Sequence, residues 1–352
     1  MGRASEVVRR LPAGTTRGTV VAASGRAAAE SLAHAGVSVD VCDRFGDVDT
    51  RAVAENWFDV GEPPADGAVV VGGDVDVDWL SRTPWGRIRR ESSDPTWLAS
   101  VAAEAGIDFP DWSWNVREAG GGRWLVKHRR GSGGTRVRWL VGDHGPGAVG
   151  VDGPGAAGDE EYVQRFTPGR RYGVTIDVVG GRGRVVGWCR SLVHRVGDRP
   201  FVYGGSFGPV TPPVDVGRLA DVIARRIPGD GPIGVDVVLG RAGEATLIEV
   251  NPRYTASMEL IERGRGSLLI DGGWAGGHEP DASWKRVVYA RRSFRWTGRT
   301  GTISDGRLAD VPKIGAVVRR GDPVVTLLAD AGSFSPMRRA VGRAVMRMPH
   351  CD

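Results

Sequence analysis

The sequence predicts a mixed α/β protein that begins with an open parallel sheet and continues into strand-rich lobes. The first observation is a strand–helix–strand order over Thr19–Ala23, Arg26–Ala35 and Val37–Cys42, which is typical of an open parallel sheet. The second is the length of 352 residues, which is enough for two or three domains. The third is the strand-rich pattern beyond Arg265.

The later elements are assigned from apolar runs and from the Gly and Pro residues between them. The predicted elements after the first three are the strand Ala68–Val71, the helix 94–105, the strands Trp124–Lys127 and Arg136–Val141, a surface loop over 143–159, the strands Tyr162–Phe166, Tyr172–Val179 and Val185–Trp188, the helix Leu219–Arg226, the strands Gly234–Leu239 and Ala245–Val250, the helix Thr255–Glu262 and a hairpin within Ile314–Leu328.

Composition and charge exclude several classes of protein. Charged residues make up 25% and hydrophobic residues 41% of the chain, which excludes a disordered chain, a collagen and a coiled coil. No stretch approaches the ~18 apolar residues of a membrane span, so we expect no membrane partner. The net charge of +5 suits an anionic ligand, but it does not by itself indicate nucleic acid, and we expect no nucleic-acid partner.

Cysteine and lysine are rare in this chain. The three cysteines form no C-x-x-C motif and no secretory signal is visible, so we expect a cytoplasmic protein. Only three of the 47 basic residues are lysines, at positions 127, 285 and 313. A lysine that persists in so arginine-rich a chain is more informative than usual.

The most informative segment covers residues 234–253. A tight hairpin here places Asp236 directly opposite Glu249, and side-chain alternation puts Asn251 on the same face. Two carboxylates about 5 Å apart repel each other, whereas Mg²⁺ between two carboxylates and an amide oxygen is well coordinated. The alternative is a solvated strand face, and Asn251 with the Pro-Arg pair that follows favours the metal site. The opposite face is predicted to be apolar and buried: Val235, Val237, Leu239, Ile248 and Val250.

A second motif places a lysine before a glycine-rich loop. Lys127 ends a predicted strand, and residues 131–134 read Gly-Ser-Gly-Gly. Glycines let backbone N–H groups approach phosphate oxygens, and the lysine adds a positive charge. The lysine precedes the glycines, so this is not a Walker A loop, and on its own the segment is equally consistent with an ordinary flexible hairpin.

In this order and at this separation, the two motifs resemble the ATP-grasp superfamily. The resemblance implies two cofactors, ATP and Mg²⁺, with Mn²⁺ as the alternative metal. It implies ATP binding by the lysine, the loop and a hinge strand within Tyr162–Gly169, at Lys127, Gly131, Ser132, Gly133, Gly134, Gln164, Arg165 and Phe166. The implied metal ligands are Asp236, Glu249 and Asn251, and the implied catalytic residues are Lys127 and Arg253.

The resemblance narrows to a subgroup described as ATP-dependent carboligases, which are distantly similar to biotin carboxylase and associated with methanopterin-linked one-carbon metabolism. The segments that carry it include EVNPRYTASMEL and LADVPKIGAVVRRGDPVVTLLA. It implies an N-terminal α/β domain (1–87), a first grasp lobe (88–163), a second lobe with the metal site (164–264) and a strand-rich C-terminal extension (265–352). A homodimer is the partner state that such relatives often adopt. The chain departs from many relatives in having Arg170-Arg171-Tyr172 where they place an acid for the ribose.

The resemblance implies a ligase that forms ADP. A carboxylate substrate would be activated as an acyl phosphate, and an amine or another nucleophile would then displace the phosphate. The first alternative is a carboxylase-like enzyme that activates bicarbonate. The second is a non-catalytic binder of nucleotides or nucleic acid.

Acidic residues outside these motifs have two interpretations each. Asp43, Asp47 and Asp49 follow the second predicted strand; they either bind a substrate amine or form a solvated loop, and the loop is favoured. Glu259 lies on the predicted helix after Asn251 and is either a base that reaches the substrate or part of a surface ion pair.

Overall fold

The N-terminal part of the chain forms a sheet of five parallel strands. The computed structural model describes residues 6–61, 67–73, 75, 77–140, 160–263, 266–270, 281–298 and 306–330. The first elements are β1 (Glu6–Val8), β2 (Arg17–Ala22), α1 (Arg26–His34), β3 (Ser38–Asp43), α2 (Val48–Val53), β4 (Asn56–Asp59) and β5 (Ala68–Val71). The strand order is β1-β5-β2-β3-β4, with every neighbouring pair parallel. This confirms the predicted open parallel sheet. The order reverses between β2 and β5, which is where such sheets bind ligands.

Three helices lead into a small antiparallel sheet. They are α3 (Asp78–Ser81), α4 (Pro84–Ser92) and α5 (Pro95–Ala105), followed by β6 (Trp112–Ser113), a 3₁₀ turn (Val116–Glu118), β7 (Trp124–His128), β8 (Val137–Trp139) and β9 (Glu161–Arg165). Asp94 caps α5 by accepting the Thr96 N–H at 2.8 Å, and Gly106 ends it at a φ of +72°. The strand order is β6-β9-β7-β8. The predicted loop over 143–159 lies outside the described residues.

The largest sheet has eight strands. The elements of this part are β10 (Arg170–Val179), β11 (Arg182–Val196), β12 (Arg199–Gly208), α6 (Gly217–Arg226), β13 (Gly231–Leu239), β14 (Ala245–Asn251), α7 (Met258–Glu262), β15 (Ser283–Tyr289), β16 (Phe294–Arg295), β17 (Gly306–Ala309), β18 (Val317–Val318) and β19 (Pro323–Asp330). The order is β14-β13-β10-β11-β12-β15-β19-β17. Helices α5 and α6 pack on one face and bury an apolar core that includes Leu98, Ile176, Leu219, Ile223 and Ile233.

The prediction of a hairpin within Ile314–Leu328 is wrong. Strand β18 pairs with β16, whereas β19 pairs with β15 and β17 in the large sheet. The turn between them is bonded to another segment, since Gly321 donates its N–H to the Ala290 carbonyl at 2.8 Å. Alternation of apolar residues predicts two strands here, but it does not determine which strands they pair with.

No helix of the described residues is long and apolar enough to cross a membrane.

Candidate functional site

The β13–β14 hairpin brings the three predicted metal ligands together. Asp236 lies directly opposite Glu249, and Asn251 lies opposite Gly234. The Asn251 side chain donates from Nδ2 to Asp236 Oδ2 at 3.3 Å. The predicted pairing of Asp236 with Glu249 is therefore present in the structure, with the amide beside it.

A β-bulge directly after this pair changes the apolar face. The register shifts between Asp236 and Val237, so Val237 pairs with Leu247. Leu247 belongs to the buried core, whereas Ile248 lines a cleft beside Glu249. The expectation that Ile248 is a core residue is wrong, because a bulge turns the side chains that precede it to the other face.

The electrostatics of the carboxylate pair fit a divalent cation. Burial and the charge of the adjacent Glu249 raise the pKa of Asp236 to about 7, against the opposing effect of Arg253 and Lys127. Asp236 and Glu249 are partly buried neighbours, and a metal ion between them would relieve their mutual repulsion. No group of three His, Cys, Asp or Glu residues is placed to hold a metal within the described residues. A cation held by two carboxylates and one amide would complete its shell with water and phosphate oxygens, as Mg²⁺ ordinarily does.

Lys127 lies in β7 and faces this hairpin across the cleft. The side chain is buried and donates from Nζ to Gln164 Oε1 at 3.3 Å and to the Ile248 carbonyl at 3.4 Å. Burial lowers the pKa of Lys127, but Tyr162 and the site's acids outweigh it, so its pKa is raised. The lysine therefore remains charged where a phosphate chain would lie.

The glycine-rich loop is docked on β12. Gly133 accepts the Tyr203 N–H at 2.8 Å, and Gly134 lies so close that a Cβ there would be 1.8 Å from the Phe201 carbonyl oxygen. Ser132 and Gly134 line the cleft. Gly131 is not among its described lining residues and instead donates its N–H to the His128 carbonyl at 2.8 Å.

Arg253 connects the loop, the predicted metal ligands and the N-terminal sheet. Its Nη2 donates to Asn251 Oδ1 at 2.8 Å and to Ser132 Oγ at 3.0 Å. Its Nη1 is 3.4 Å from the position that a Cβ on Gly73 would occupy. A guanidinium in this position can contact an anion held between the loop and the side chains of Asp236, Glu249 and Asn251.

The predicted hinge has a buried donor without a partner. Gln164 is 2% exposed, and its Nε2 has no hydrogen-bond partner among the described residues. The N–H of Arg165 donates to the Asp111 carbonyl at 2.7 Å, and that of Phe166 donates to Arg123 at 2.9 Å. The two backbone donors are therefore already used, and the Gln164 amide is the group left to meet a ligand acceptor.

All these side chains face one cleft of about 970 Å³. The predicted residues in its lining are Lys127, Ser132, Gly133, Gly134, Gln164, Arg165, Phe166, Asp236, Glu249, Asn251 and Arg253. The lining also contains Lys285 and Lys313, so all three lysines of the chain face it. The rarity of lysine in the sequence is the only feature that draws attention to these two residues.

Two further charged groups, one in the cleft lining and one beside it, have surroundings that the sequence does not indicate. Arg171, which lines the cleft, has its pKa lowered by burial and raised by Asp236, with a net lowering. Glu259 is bonded by Arg26 at 2.6 Å and by Lys285 at 2.6 Å. Despite burial, these two cations hold the pKa of Glu259 well below its usual range. The predicted ion pair of Glu259 is therefore present, but it is buried instead of lying at the surface.

Residues 97–257 match the family model of the ATP-grasp domain. The chain therefore carries an ATP-grasp domain, preceded by a parallel α/β sheet and continued by further strands. A sequence search of curated proteins finds no match.

Solved structures share this fold at low sequence identity. Carboxyaminoimidazole ribonucleotide synthase from Aspergillus clavatus, solved with ATP, matches with a TM-score of 0.68 and 12% identity, covering 94% of this chain and 99% of that one. An L-amino acid ligase from Bacillus licheniformis matches with a TM-score of 0.66 and 10% identity, covering 94% and 97%. The biotin carboxylase domain of Hydrogenobacter thermophilus 2-oxoglutarate carboxylase, solved as a dimer with MgADP and bicarbonate, matches with a TM-score of 0.63 and 10% identity, covering 94% and 90%.

Proposed function

We propose that this protein is an ATP-dependent ligase that activates a carboxylate as an acyl phosphate, releases ADP and transfers the acyl group to an amine or another nucleophile. The observation that carries this proposal is the convergence of Asp236, Glu249 and Asn251 on the cleft that Lys127 and Arg253 also face. Simple nucleotide binding does not require an acid pair beside an arginine. The ligases with the same fold support the proposal.

In this proposal, ATP lies between the small sheet and the large one. Mg²⁺ on Asp236, Glu249 and Asn251 would neutralise charge on the phosphate oxygens. Lys127 donates to the phosphate chain, and Gln164 Nε2 donates to an acceptor on the adenine. The predicted Gly131 would act only through loop geometry, since it is outside the described lining.

The substrate carboxylate attacks the γ-phosphorus, the bond to the β-phosphate oxygen breaks, and ADP leaves. Arg253 holds the transferred phosphoryl group, which becomes part of the acyl phosphate. The nucleophile then attacks the acyl carbon and phosphate departs. Catalysis here consists mainly of positioning and charge stabilisation, as in other phosphoryl transfers. The docked loop excludes water that would hydrolyse the acyl phosphate.

An ADP-release assay over pairs of carboxylates and amines tests this function. Pterin and furan precursors come first with glutamate, because of the likeness to carboligases of one-carbon metabolism. We expect ADP release to require both substrates, and Asp236→Asn or Glu249→Gln to lower the rate at least ~100-fold. Asp198→Asn is the matched control, since Asp198 is exposed in the β11–β12 turn and should leave the rate unchanged.

Three results would contradict the proposal. ADP release that requires bicarbonate alone would indicate a carboxylase-like enzyme. Salt-dependent retention on DNA without ATP turnover would indicate a nucleic-acid binder. Full activity of both acid variants would remove the metal assignment. The homodimer is likewise a proposal, which sedimentation of the protein can test.

A further inference from the structure

The end of the cleft next to the N-terminal sheet holds a buried aspartate whose carboxylate accepts no hydrogen bond from any described residue. Asp47 lines the cleft and is 6% exposed. It occupies the N-cap of α2, where an aspartate ordinarily accepts a backbone N–H of the first turn, yet its side chain makes no such bond. No described residue donates to this carboxylate. The solvated loop favoured from sequence is therefore wrong for Asp47.

The neighbouring acids differ from Asp47 because each of them already accepts hydrogen bonds. Asp43 accepts three hydrogen bonds of 2.7–3.0 Å and is fully buried. Asp49 accepts two backbone N–H groups, from residues 310 and 311, at 2.7 and 3.0 Å. Asp310 accepts the Arg26 guanidinium at 2.9 Å. Asp47 is thus the acid of this group that has room for a further donor.

The buried cations nearby form ion pairs with other acids. Arg26 is 0% exposed, and its Nε, Nη1 and Nη2 donate to Asp310, Glu30 and Glu259 over 2.6–3.0 Å. Lys285 donates to Glu259 at 2.6 Å. No guanidinium or ammonium of the described residues therefore forms an ion pair with Asp47.

The charge balance favours a cationic ligand. Burial and the charges of the neighbouring Asp310, Asp43 and Asp49 raise the pKa of Asp47 to about 8, against the opposing effect of Arg26. A bound cation would favour the ionised form that burial disfavours. A primary ammonium can bind to a single carboxylate, whereas a metal ion needs several ligands. Asp43, Asp49 and Asp310 already accept other donors, so an ammonium group fits better than a metal ion.

The position of Asp47 also suits a substrate group. The carboxyl ends of β2 and β5, at Ala23 and Gly72, line the same cleft, and the sheet order reverses there. The loop before Asp47 is fixed to β2, since the Arg44 N–H donates to the Ala23 carbonyl at 3.2 Å. Arg253 reaches the end of β5 beside Gly73. A molecule bound between these points would extend from Asp47 toward the phosphoryl site.

We propose that Asp47 receives a protonated amino group of the substrate, so that this end of the cleft selects a small molecule carrying a primary ammonium. This inference rests on the proposed ligase function, because it places the group on that enzyme's substrate. Asp47 acts in recognition, and the chemistry stays with the residues around Arg253. Phe45, which is 39% exposed and lines the same wall, gives the body of such a molecule an apolar contact.

A pair of probes of equal shape tests the inference without turnover. Benzylamine and benzyl alcohol are titrated into the protein saturated with Mg²⁺ and ADP, and binding is followed by ligand-observed NMR. We expect the wild type to bind benzylamine more tightly than benzyl alcohol. Asp47→Asn should weaken benzylamine binding about tenfold or more, because a charge-assisted bond is lost. Asp47→Glu, which keeps the charge, should retain part of the preference, and Asp198→Asn should retain all of it.

Equal binding of the amine and the alcohol by the wild type overturns the inference, and so does an Asn variant that keeps the preference. ADP affinity measured in the same samples separates this outcome from failure of the proposed function. Loss of ADP binding in the wild type would contradict the ligase, whereas intact ADP binding without amine preference contradicts only the role of Asp47. Because the Asp47 side chain bonds to no described residue, the Asn variant should fold, which its melting curve checks.

Discussion

A single carboxyl group joins three segments of the chain, and its ionisation should govern part of the stability. Glu262 accepts the Ser31 hydroxyl at 2.9 Å, the Leu268 N–H at 2.6 Å and the Tyr254 hydroxyl at 2.6 Å. Burial raises the pKa of Glu262 to about 7, although these three donors act in the opposite direction. The carboxyl is therefore harder to ionise in the folded protein than in the unfolded chain.

This shift predicts a pH dependence with a definite sign. Between the ordinary value of 4.5 and about 7, the folded state holds a proton that the unfolded state has lost, so the free energy of unfolding falls as pH rises through that window. Glu262→Gln cannot ionise. The stability of the wild type relative to this variant should therefore decline by up to about 3 kcal/mol from pH 4.5 to 7.

Urea unfolding of both proteins across this pH range measures the difference. Glu91→Gln, at an exposed position on α4, is the control and should track the wild type at every pH. A constant difference between wild type and Glu262→Gln would show that the carboxyl has no raised pKa.

At the residue scale, the sequence indicates which side chains converge better than it indicates their surroundings. Asp236, Glu249 and Asn251 could be found because strand alternation places them on one face whatever the rest of the fold does. The burial of Asp47 could not be predicted, because it depends on the segment after β17, about 260 positions later in the chain, where the Val311 carbonyl accepts the N–H of Val48. The buried ion pairs of Glu259 could not be predicted for the same reason, since its partners lie on α1 and β15.

At the scale of elements, the glycine-rich loop is the part whose conformation the site depends on. Gly133 and Gly134 both adopt positive φ, at +60° and +70°, but their surroundings differ. A Cβ on Gly134 would meet the Phe201 carbonyl oxygen at 1.8 Å, whereas a Cβ on Gly133 would meet nothing within 4 Å. The two positions thus form a matched pair in which only one substitution opposes docking.

Gly134→Ala should undock the loop, because backbone at β12 cannot yield to the new methyl group. Gly133→Ala shares the left-handed strain of about 1–2 kcal/mol without the clash. Trypsin cleavage at the arginines that flank the loop, at positions 129, 130 and 136, measures undocking. We expect cleavage of Gly134→Ala to be at least ~10-fold faster than that of Gly133→Ala, because a larger fraction of its molecules has the loop undocked from β12. Equal rates for the two variants would mean that docking on β12 does not hold the loop.

Among the elements, type and order were predictable and pairing was less so. Strands β2, β3 and β13 and helices α1 and α5 follow from apolar period and from residues such as Asp94 and Gly106. The bulge after Asp236 could not be predicted, since nothing in the local pattern of apolar residues indicates that Leu247 is buried in place of Ile248. The pairing of the two strands within Ile314–Leu328 could not be predicted, because they pair with distant strands and not with each other.

At the scale of the whole molecule, the cleft exists because three sheets meet around it. Its walls include Gly72 from the parallel sheet, Lys127 from the small sheet and Asp236 from the large sheet. A buried pair between Arg10 and Asp177 holds the parallel sheet against the large one, and removal of either partner would leave an uncompensated charge. The rigid arrangement of these sheets is what allows short side chains to converge on one ligand.

The central claim is that Asp236, Glu249 and Asn251 hold the metal of a bound metal–ATP complex. Calorimetric titration of ATP with and without Mg²⁺ tests it most directly. The account predicts tight binding that requires Mg²⁺ in the wild type and in Asp198→Asn, and a loss of affinity of about tenfold or more in Asp236→Asn and Glu249→Gln, since a ligand of the cation is removed. ATP affinity that is the same with and without Mg²⁺, and the same in all four proteins, would contradict it.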